Sequence, residues 1–483
     1  MRTLIKILCL IGNNIKYILF STFLILNISF CNTQKLYIQP IVFANSYSNG
    51  GIIDVESDIL YWLGWGIIGK YDYNNLNIES NIIFTRYDGL NKLNSLSNIQ
   101  ALSSSGHNGS EDYESQSTYM KATYTYLNYK FNIGRFNQLW GPGYNKILLS
   151  NKIPPFSQYS YSWKINKKYH LFFMHGKLNS GLYENETYDD QGILSPVIQR
   201  PRFVGAHRML ITFSDRFKLG LSELIVYGNR GPELAYNLPF ILFYSLQNYF
   251  GDLDNVMVGF DLEYKINNNH NIYSAILIDD LSMSKIFNKN HNNKIALQIG
   301  TSINKLFFPE DNLLIELIWT DNRLNTHKYN INYAYSSSGK ENNFVSNSNY
   351  PLGFWGGPHS EHLYLSYKIK KNLYNFSLSY SYTKRGQVTE EMILNDHWGG
   401  YINSEHRFEG PIEKLDFIEF KVGKEYKNNI HVYFSIQHIN WINPGFDPFD
   451  PNDDLLSINQ LKCVTKNSFN IELLYNFKWP GVN

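Results

Sequence analysis

The chain has 483 residues and a formal net charge of +1, and charged residues make up 18% of it. This balance offers neither the basic surface that nucleic acid requires nor an acidic tail, so we expect no nucleic-acid partner. Aromatic residues make up 16%. That excess fits either a large β-rich core or the interfacial belts and sugar-stacking platforms of a membrane barrel. No break in composition divides the chain into domains.

The N-terminal 31 residues predict a cleaved signal peptide. Basic residues precede an apolar run from Tyr17 to Phe30, and the small residues Ser29 and Cys31 suit cleavage after Cys31. A lipid-anchored Cys31 is the alternative, although Phe30 directly before it is a poor fit to a lipoprotein cleavage site. Cleavage leaves Cys463 as the one cysteine of the mature chain, so we expect no intrachain disulfide.

The remaining chain, residues 32–483, is predicted to form one β domain. Its first loop contains apolar residues at helical spacing, which predict a short amphipathic helix there: Ile52, Val55, Ile59, Leu60 and Leu63. The strand pattern is cleanest between Val256 and Ile278. In its first arm apolar residues alternate with polar ones, and only Met257 departs from the pattern. Residues 267–270 are of the types favoured in turns, so they are predicted to connect the two arms.

The arms of that hairpin come close to the roughly nine to eleven residues that a tilted membrane-spanning strand needs. Similar segments recur along the chain. The predicted strands are Leu36–Asn45, Gly66–Tyr73, Leu76–Tyr87, Thr118–Tyr126, Tyr129–Phe136, Tyr161–Asn166, Tyr169–His175, Phe203–Phe213, Phe217–Tyr227, Val256–Ile266, Ile272–Ile278, Ile295–Ile303, Leu313–Thr320, Glu361–Ile369, Leu373–Thr383, Phe417–Glu425, Ile430–Trp441 and Ser468–Phe477.

Connections between these strands alternate between short and long. Short turns fall near residues 74, 128, 167, 215, 268, 371 and 428, with a slightly longer one at 304–312, whereas the other loops are much longer. Such segregation predicts an all-β transmembrane antiparallel barrel of about 18 strands in the cell outer membrane, with short periplasmic turns and long extracellular loops. Closure also removes the open sheet edges that a bilayer does not tolerate.

Several loop edges carry short motifs whose order spans most of the mature chain. They are Trp140 to Tyr144, Leu148 to Asn151 with Pro154, Gly205 with His207 and Arg208, Gly220 to Glu223, Asn237 to Pro239, Gly251 to Asn255, Gly259 with Asp261, Asp279 with Asp280, Tyr350 to Gly353, and Gly357 to Ser360. In this order the motifs resemble the Wzi family of capsule-assembly outer-membrane proteins. No long helical segment matches the periplasmic helical bundle described for that family.

The resemblance implies a barrel lectin that binds exported capsular or related surface polysaccharide and helps to tether it, without catalysis. Sugars present apolar C–H faces beside hydroxyls, so a binding surface needs aromatic rings next to charged groups. The candidate side chains are Trp140, Tyr144, Arg202, Arg208, Arg230, Glu233, Trp355 and His359. Alternatively, Trp140 and Trp355 anchor loops against the lumen or lie in the interfacial girdle, and Arg208, Glu223, Asp261 and Asp279 form inward ion pairs.

Other activities have weaker support in the sequence. The acidic loop from Asn443 to Asp454 lacks the spacing of an EF-hand, so we expect no metal and no cofactor. No G-x-S-x-G motif or similar constellation predicts an enzyme. A porin or diffusion channel is the main alternative to the lectin. Either barrel would contact outer-membrane lipid and, during insertion, the barrel-assembly machinery, and we expect a monomer.

Overall fold

The structure is a computed structural model of the full chain. It describes residues 35–53, 57–89, 112–179, 201–228, 230–239, 241–251, 254–280, 294–324, 334–336, 349–387, 407–408, 410–426, 430–444 and 463–476. The predicted signal peptide and the acidic segment Asp447 to Asp454 lie outside these residues.

Eighteen strands form one antiparallel sheet. They are β1 (Lys35–Ser48), β2 (Ile59–Tyr73), β3 (Leu76–Asp88), β4 (Asp112–Tyr126), β5 (Tyr129–Phe136), β6 (Phe156–Lys164), β7 (Tyr169–Leu178), β8 (Arg202–Thr212), β9 (Phe217–Gly228), β10 (Asn255–Lys265), β11 (His270–Asp280), β12 (Lys294–Asn304), β13 (Asp311–Thr320), β16 (Ser360–Lys371), β17 (Tyr374–Gly386), β18 (Ile412–Tyr426), β19 (Ile430–Ile442) and β20 (Cys463–Asn476). Between β13 and β16, the short strands β14 (Ala334–Ser336) and β15 (Asn349–Pro351) pair only with each other.

The sheet closes on itself because β1 pairs with β2 on one side and with β20 on the other. Each barrel strand pairs with its neighbours in the sequence, and the long and short connections fall at opposite ends. The predicted eighteen-stranded barrel is therefore confirmed.

The prediction of a short amphipathic helix in the first loop is wrong. Ile59, Leu60 and Leu63 belong to β2, whose register with β1 runs unbroken from Ser48 opposite Ile59. Fourteen consecutive strand pairings outweigh a weak helical periodicity.

Strand β10 shows how the wall separates its two environments. Phe260, Leu262 and Tyr264 point outward and are exposed, whereas Gly259 and Asp261 point inward and are buried. This is the alternation expected of a barrel with apolar residues toward lipid and polar residues toward the lumen. Met257, which breaks the sequence pattern, also points inward, where it packs into an apolar cluster inside the lumen.

An aromatic belt surrounds the short-turn end of the barrel on its outer face. Its exposed members include Tyr73, Tyr126, Phe213, Tyr264, Tyr374 and Tyr426. Lysines reach over these rings: Lys168 Nζ lies 5.4 Å from the centre of the Phe213 ring, and Lys424 Nζ lies 4.5 Å from that of Tyr426. Amphipathic rings and long basic side chains are favoured at the membrane interface. Part of the aromatic excess is thus explained.

The connection between β9 and β10 contains a 3-10 helix, Leu234–Asn237, and a short α-helix, α1 (Phe243–Tyr249). Neither was predicted from the sequence. No helix in the described part of the chain is long and apolar enough to cross a membrane.

Candidate functional site

The loop between β5 and β6, residues 137–155, enters the lumen and is called the plug loop below. Glu316, on the inner face of β13, fastens it. The Glu316 carboxylate accepts hydrogen bonds from the backbone N–H groups of Tyr144 and Asn145, both at 2.9 Å, and from Asn145 Nδ2 at 3.0 Å. Tyr273 Oη and Gln298 Nε2 donate to the same carboxylate at 2.7 and 2.9 Å. Since β5 and β13 lie on nearly opposite sides of the sheet, the loop crosses the lumen.

Apolar packing fills part of the long-loop half of the lumen in the described part of the barrel. The plug loop contributes Trp140, Ile147, Leu148, Leu149 and Ile153 to a cluster with inward side chains of β7 to β13. A second cluster joins Ile52 and Ile53 of the first loop to inward residues of β2, β3, β18 and β19. Trp355 packs against both clusters and also donates from Nε1 to Asn145 Oδ1 at 3.1 Å. The two clusters and Trp355 therefore form one partition.

Trp140 and Tyr144 occupy different positions on the plug loop. Trp140 is 5% exposed and forms an isolated β-bridge with Leu149, so its ring belongs to the core of the plug. Tyr144 is 45% exposed, and its ring stacks on Tyr364 of β16 with centroids 4.7 Å apart. Lys152 Nζ and Lys368 Nζ lie 5.2 and 5.9 Å from the centre of the Tyr144 ring. Tyr144 is thus a partly exposed aromatic ring that has one stacked neighbour and two cations within 6 Å.

Two polar chambers lie between this partition and the short-turn end. One of about 960 Å³ has Lys368, Lys370, Lys421, Asn312 and Tyr433 in its wall. The other, of about 760 Å³, is lined by residues that include Glu79, Lys121, Lys130, Asn132 and Ser160, and it extends to Trp140. Lys368 belongs both to the first chamber and to the surroundings of Tyr144. Hydroxyl, amide and charged groups of this kind are suited to hydrogen bonding with sugar hydroxyls.

Arg208 lies on the inner face of β8 and is 8% exposed. Its guanidinium donates to both oxygens of Asp261, at 2.5 and 2.9 Å, and to Ser222 Oγ at 3.0 Å. This is the inward ion pair considered as an alternative for Arg208, and the arrangement is one in which the two buried charges satisfy each other. Nearby on the plug loop, Lys146 Nζ donates to the carbonyls of Gly141 and Gly143. Burial lowers the pKa of Lys146, opposed by the neighbouring Glu316.

Arg230 and Glu233 lie on the other side of the wall. They belong to residues 230–239 and 241–251, called the outer lobe below, whose Tyr236 and Phe243 pack on outward side chains of β8, β9 and β10. The Arg230 guanidinium donates to both oxygens of Asp254 at 2.8 and 2.6 Å. The Glu233 side chain caps the 3-10 helix. These side chains organise the lobe and are separated by the barrel wall from Tyr144.

Glu223 corrects one prediction, because it points outward and takes part in no inward network. Its carboxylate accepts the backbone N–H groups of Phe243 and Tyr244 at the start of α1, both at 2.9 Å. On the same outer face, His175 shares a hydrogen bond of 2.8 Å with Tyr227 Oη. Asp279, another residue predicted to belong to an inward network, accepts a hydrogen bond from Asn255 Nδ2 at 2.5 Å. The outer lobe therefore covers polar groups that would otherwise face lipid.

His359 lies at the long-loop end of the barrel and is fully buried. Its Nδ1 lies 2.8 Å from the Gln387 carbonyl oxygen, and its Nε2 accepts the Phe408 N–H at 2.8 Å. These partners require the neutral ring with the proton on Nδ1. Burial lowers the pKa of His359 to about 4, opposed by the Gln387 hydrogen bond and assisted by Arg407 and Lys384.

The predicted glycan-binding residues thus lie in several places. Trp140 and Tyr144 are on the plug loop, and Trp355 packs against the two apolar clusters. Arg202 and Arg208 are buried residues of β8, Arg230 and Glu233 belong to the outer lobe, and His359 lies at the barrel end. Residues that fasten the plug, Asn145, Tyr273, Gln298 and Glu316, were not predicted. Glu316 had a signal, since it is the one charged residue in the apolar run from Leu313 to Trp319. Charged residues in a spanning strand are favoured on the inner face.

No group of three or more potential metal ligands occurs among the residues that the structure describes. Cys463 is exposed and unpaired on β20.

The geometry described above defines an outer-membrane β-barrel with an internal partition. A family model described as capsule assembly protein Wzi matches residues 71–453. The chain therefore belongs to the Wzi capsule-assembly family. No curated protein sequence matches the chain.

Solved structures share the fold at low sequence identity. Escherichia coli Wzi, described as an outer membrane protein involved in group 1 capsule assembly and as a carbohydrate-binding β-barrel, is 13% identical with a TM-score of 0.53, and the match covers 92% of this chain and 85% of that one. Acinetobacter baumannii OccAB2 is 11% identical with a TM-score of 0.46, covering 94% and 100%. Pseudomonas aeruginosa OccK1 is 9% identical with a TM-score of 0.46, covering 93% and 100%.

Proposed function

We propose that this protein binds a capsular or related surface polysaccharide and tethers it at the outer membrane, without catalysis. Family membership supports the polysaccharide as ligand. The observation that carries the proposal is the partly exposed Tyr144 ring, which lies near Lys152 and Lys368 on a loop that Glu316 fastens across the lumen. The ring provides an apolar face for a sugar, and the surrounding lysines provide donors for its oxygens.

The same loop argues against a diffusion channel. The plug loop and Trp355 join two apolar clusters inside the barrel, and an ion path would have to pass through that packed region. A lectin needs the rigidity that such packing provides, whereas a pore needs open space. Purified protein in planar bilayers is expected to show no large, steady conductance. Steady conductance in the nanosiemens class together with absent glycan binding would favour the porin alternative.

Glycan binding is tested with an array of bacterial polysaccharides probed with the refolded barrel. Replacing Tyr144 by Ala removes the stacking face and is expected to weaken binding about tenfold, whereas Tyr144→Phe keeps the face and is expected to bind within about twofold of the native protein. Tyr426→Ala, on the outer aromatic belt, is the matched control. Equal binding by the Ala and Phe variants would remove Tyr144 from the site.

Tethering is tested in cells. Deleting the gene is expected to release cell-associated polysaccharide into the medium while its total amount stays the same. A coat that remains fully attached would contradict the tethering role, even if the purified barrel binds glycan.

A further inference from the structure

Three cations converge on the lipid-facing side of the barrel at its long-loop end. Lys384 of β17 and Lys414 of β18 are direct partners in the antiparallel register. Lys384 Nζ lies 3.8 Å from the centre of the Phe408 ring, and the Arg407 guanidinium carbon lies 4.7 Å from the same centre. Both lysines share the face of their strands with outward, exposed residues such as Leu378 and Phe420.

The direct pairing of Lys384 with Lys414 is electrostatically unfavourable, and a bound anion would offset it. Like charges directly opposite each other destabilise an antiparallel strand pair. Three carboxylates lie nearby among the described residues. Glu361 is the register partner of Lys384 and lies 3.4 Å from Arg407, and Asp416 accepts a hydrogen bond from Tyr380 Oη at 3.0 Å. Asp321 interacts electrostatically with Arg407, Arg323 and Lys294. Five described cations therefore share three carboxylates where the barrel wall enters the low-dielectric membrane.

An apolar groove continues from this cluster toward the membrane interior. It has a volume of about 790 Å³ and runs across the outer face of β10 to β17, with side chains that include Phe260, Leu262, Leu297, Ile299, Leu317 and Leu363. Its end includes Trp319 and Glu361. Arg407 lies 4.5 Å above the Trp319 ring and contacts Glu361, so the groove and the cations are continuous.

We propose that this surface binds a phosphorylated glycolipid of the outer leaflet, with a phosphate between Lys384 and Lys414 and an acyl chain in the groove. Phosphate oxygens accept charge-assisted hydrogen bonds from lysine and arginine, and an anion between the two lysines offsets their repulsion. The groove adds apolar contact with the chain. Charge at one end and hydrocarbon at the other match a lipid anchored by its head group. This inference is independent of polysaccharide binding.

The test uses the full barrel in neutral detergent with bisphosphorylated lipid A as probe. The variant Lys384→Gln/Lys414→Gln is expected to bind lipid A at least tenfold more weakly than the native protein, about 1.4 kcal/mol. Lipid A without phosphates is expected to bind the native protein as weakly as the variant binds the phosphorylated form. Lys168→Gln, on the outer face at the short-turn end, is the matched control and is expected to stay within about twofold.

Heat resistance separates a lipid site from a structural role. Without lipid, the double variant is expected to resist heat at least as well as the native barrel, because it loses a like-charge pair. With lipid A, the native barrel is expected to gain more heat resistance than the variant. If the double variant does not fold, the single variants Lys384→Gln and Lys414→Gln carry the same comparison. Unchanged binding by the variants, or equally tight binding of phosphatidylglycerol, would overturn the proposal.

Discussion

The plug loop and the outer lobe leave similar strands but fold to opposite sides of the barrel wall. Each is fastened by one strand carboxylate that accepts two successive backbone N–H groups. Glu316 binds Tyr144 and Asn145 inside the lumen, and Glu223 binds Phe243 and Tyr244 outside. Strand side chains alternate between the two faces, so the position of the carboxylate along its strand decides on which side the loop can be held.

What the two loops cover also differs. The plug loop buries apolar side chains against apolar inward residues of the wall, including Val204 and Leu224. The outer lobe covers polar groups on the lipid side, among them His175 and Glu223. An unsatisfied polar group costs several kcal/mol in hydrocarbon, so this part of the wall requires a cover. The plug loop fills space inside the lumen, and the outer lobe shields part of the outer surface.

The exposed surfaces of the plug loop and the outer lobe also differ. Leu234, Leu242, Tyr244 and Tyr249 of the outer lobe are exposed, with Tyr249 reaching 83%. In the plug loop most apolar residues are buried, and Leu139 and Tyr144 are the exposed ones. Exposed leucine and tyrosine beside a membrane wall are typical of an interfacial segment. The lobe therefore has the composition of a segment that meets the outer leaflet.

The largest effect is expected from removing the inner anchor. Glu316→Ala leaves the Asn145, Tyr273 and Gln298 donors without their acceptor, and we expect the plug to lose about 3–5 kcal/mol of stabilisation. Planar-bilayer recordings should then show channel openings that are rare in the native barrel. Glu310→Gln, in the exposed turn before β13, is the matched control and should leave the recordings unchanged. A silent Glu316→Ala barrel with native heat-modifiability would show that the apolar clusters alone hold the plug.

A smaller effect is expected from weakening the outer anchor. Glu223→Gln removes the charge from two hydrogen bonds at the start of α1, so we expect a loss of about 1–2 kcal/mol and faster chymotrypsin cleavage after Tyr244 or Tyr249. Because this anchor lies outside the wall, conductance should not change. Asp215→Asn, in the exposed turn between β8 and β9, serves as control. Increased conductance in Glu223→Gln would contradict the separation between the two loops.

Much of the wall could be predicted from the sequence because strand alternation is a local signal. The prediction for β5 has the observed bounds, Tyr129–Phe136. For β6 the predicted start at Tyr161 is late, since the strand begins at Phe156 directly after Pro155. The start of β2 was mistaken for a helix because the spacing of apolar residues carries no information about its pairing with β1.

The loops were less predictable because their direction depends on distant partners. The sequence shows that Trp140 and Trp355 are aromatic but not where their rings pack. Their shared role in the partition follows from contacts such as the hydrogen bond from Trp355 to Asn145, two residues that lie 210 positions apart in sequence. The apolar neighbours of Glu316 would have allowed its position on the inner face to be inferred, although that prediction was not made. The sequence carried no sign that the Tyr144 segment, 172 residues earlier, would bind there.

The smallest effect concerns a third anchor, His359, which holds the backbone of Phe408 through a neutral ring instead of a carboxylate. Burial holds the pKa of His359 at about 4, while an unfolded histidine titrates near its usual 6.5. Between these values the unfolded chain binds the proton more readily, so the stability of this contact is complete above pH 6.5 and declines as the pH falls toward 4. The protection factor of the Phe408 amide, which is the exchange rate of an unprotected amide divided by that of Phe408 at the same pH, should fall over that range, and His359→Gln should abolish this pH dependence. A protection factor that stays constant from pH 7 to pH 4 would show that the loop is held by Arg407, which stacks on Trp319 and donates to the carbonyl of Thr320, and not by the imidazole.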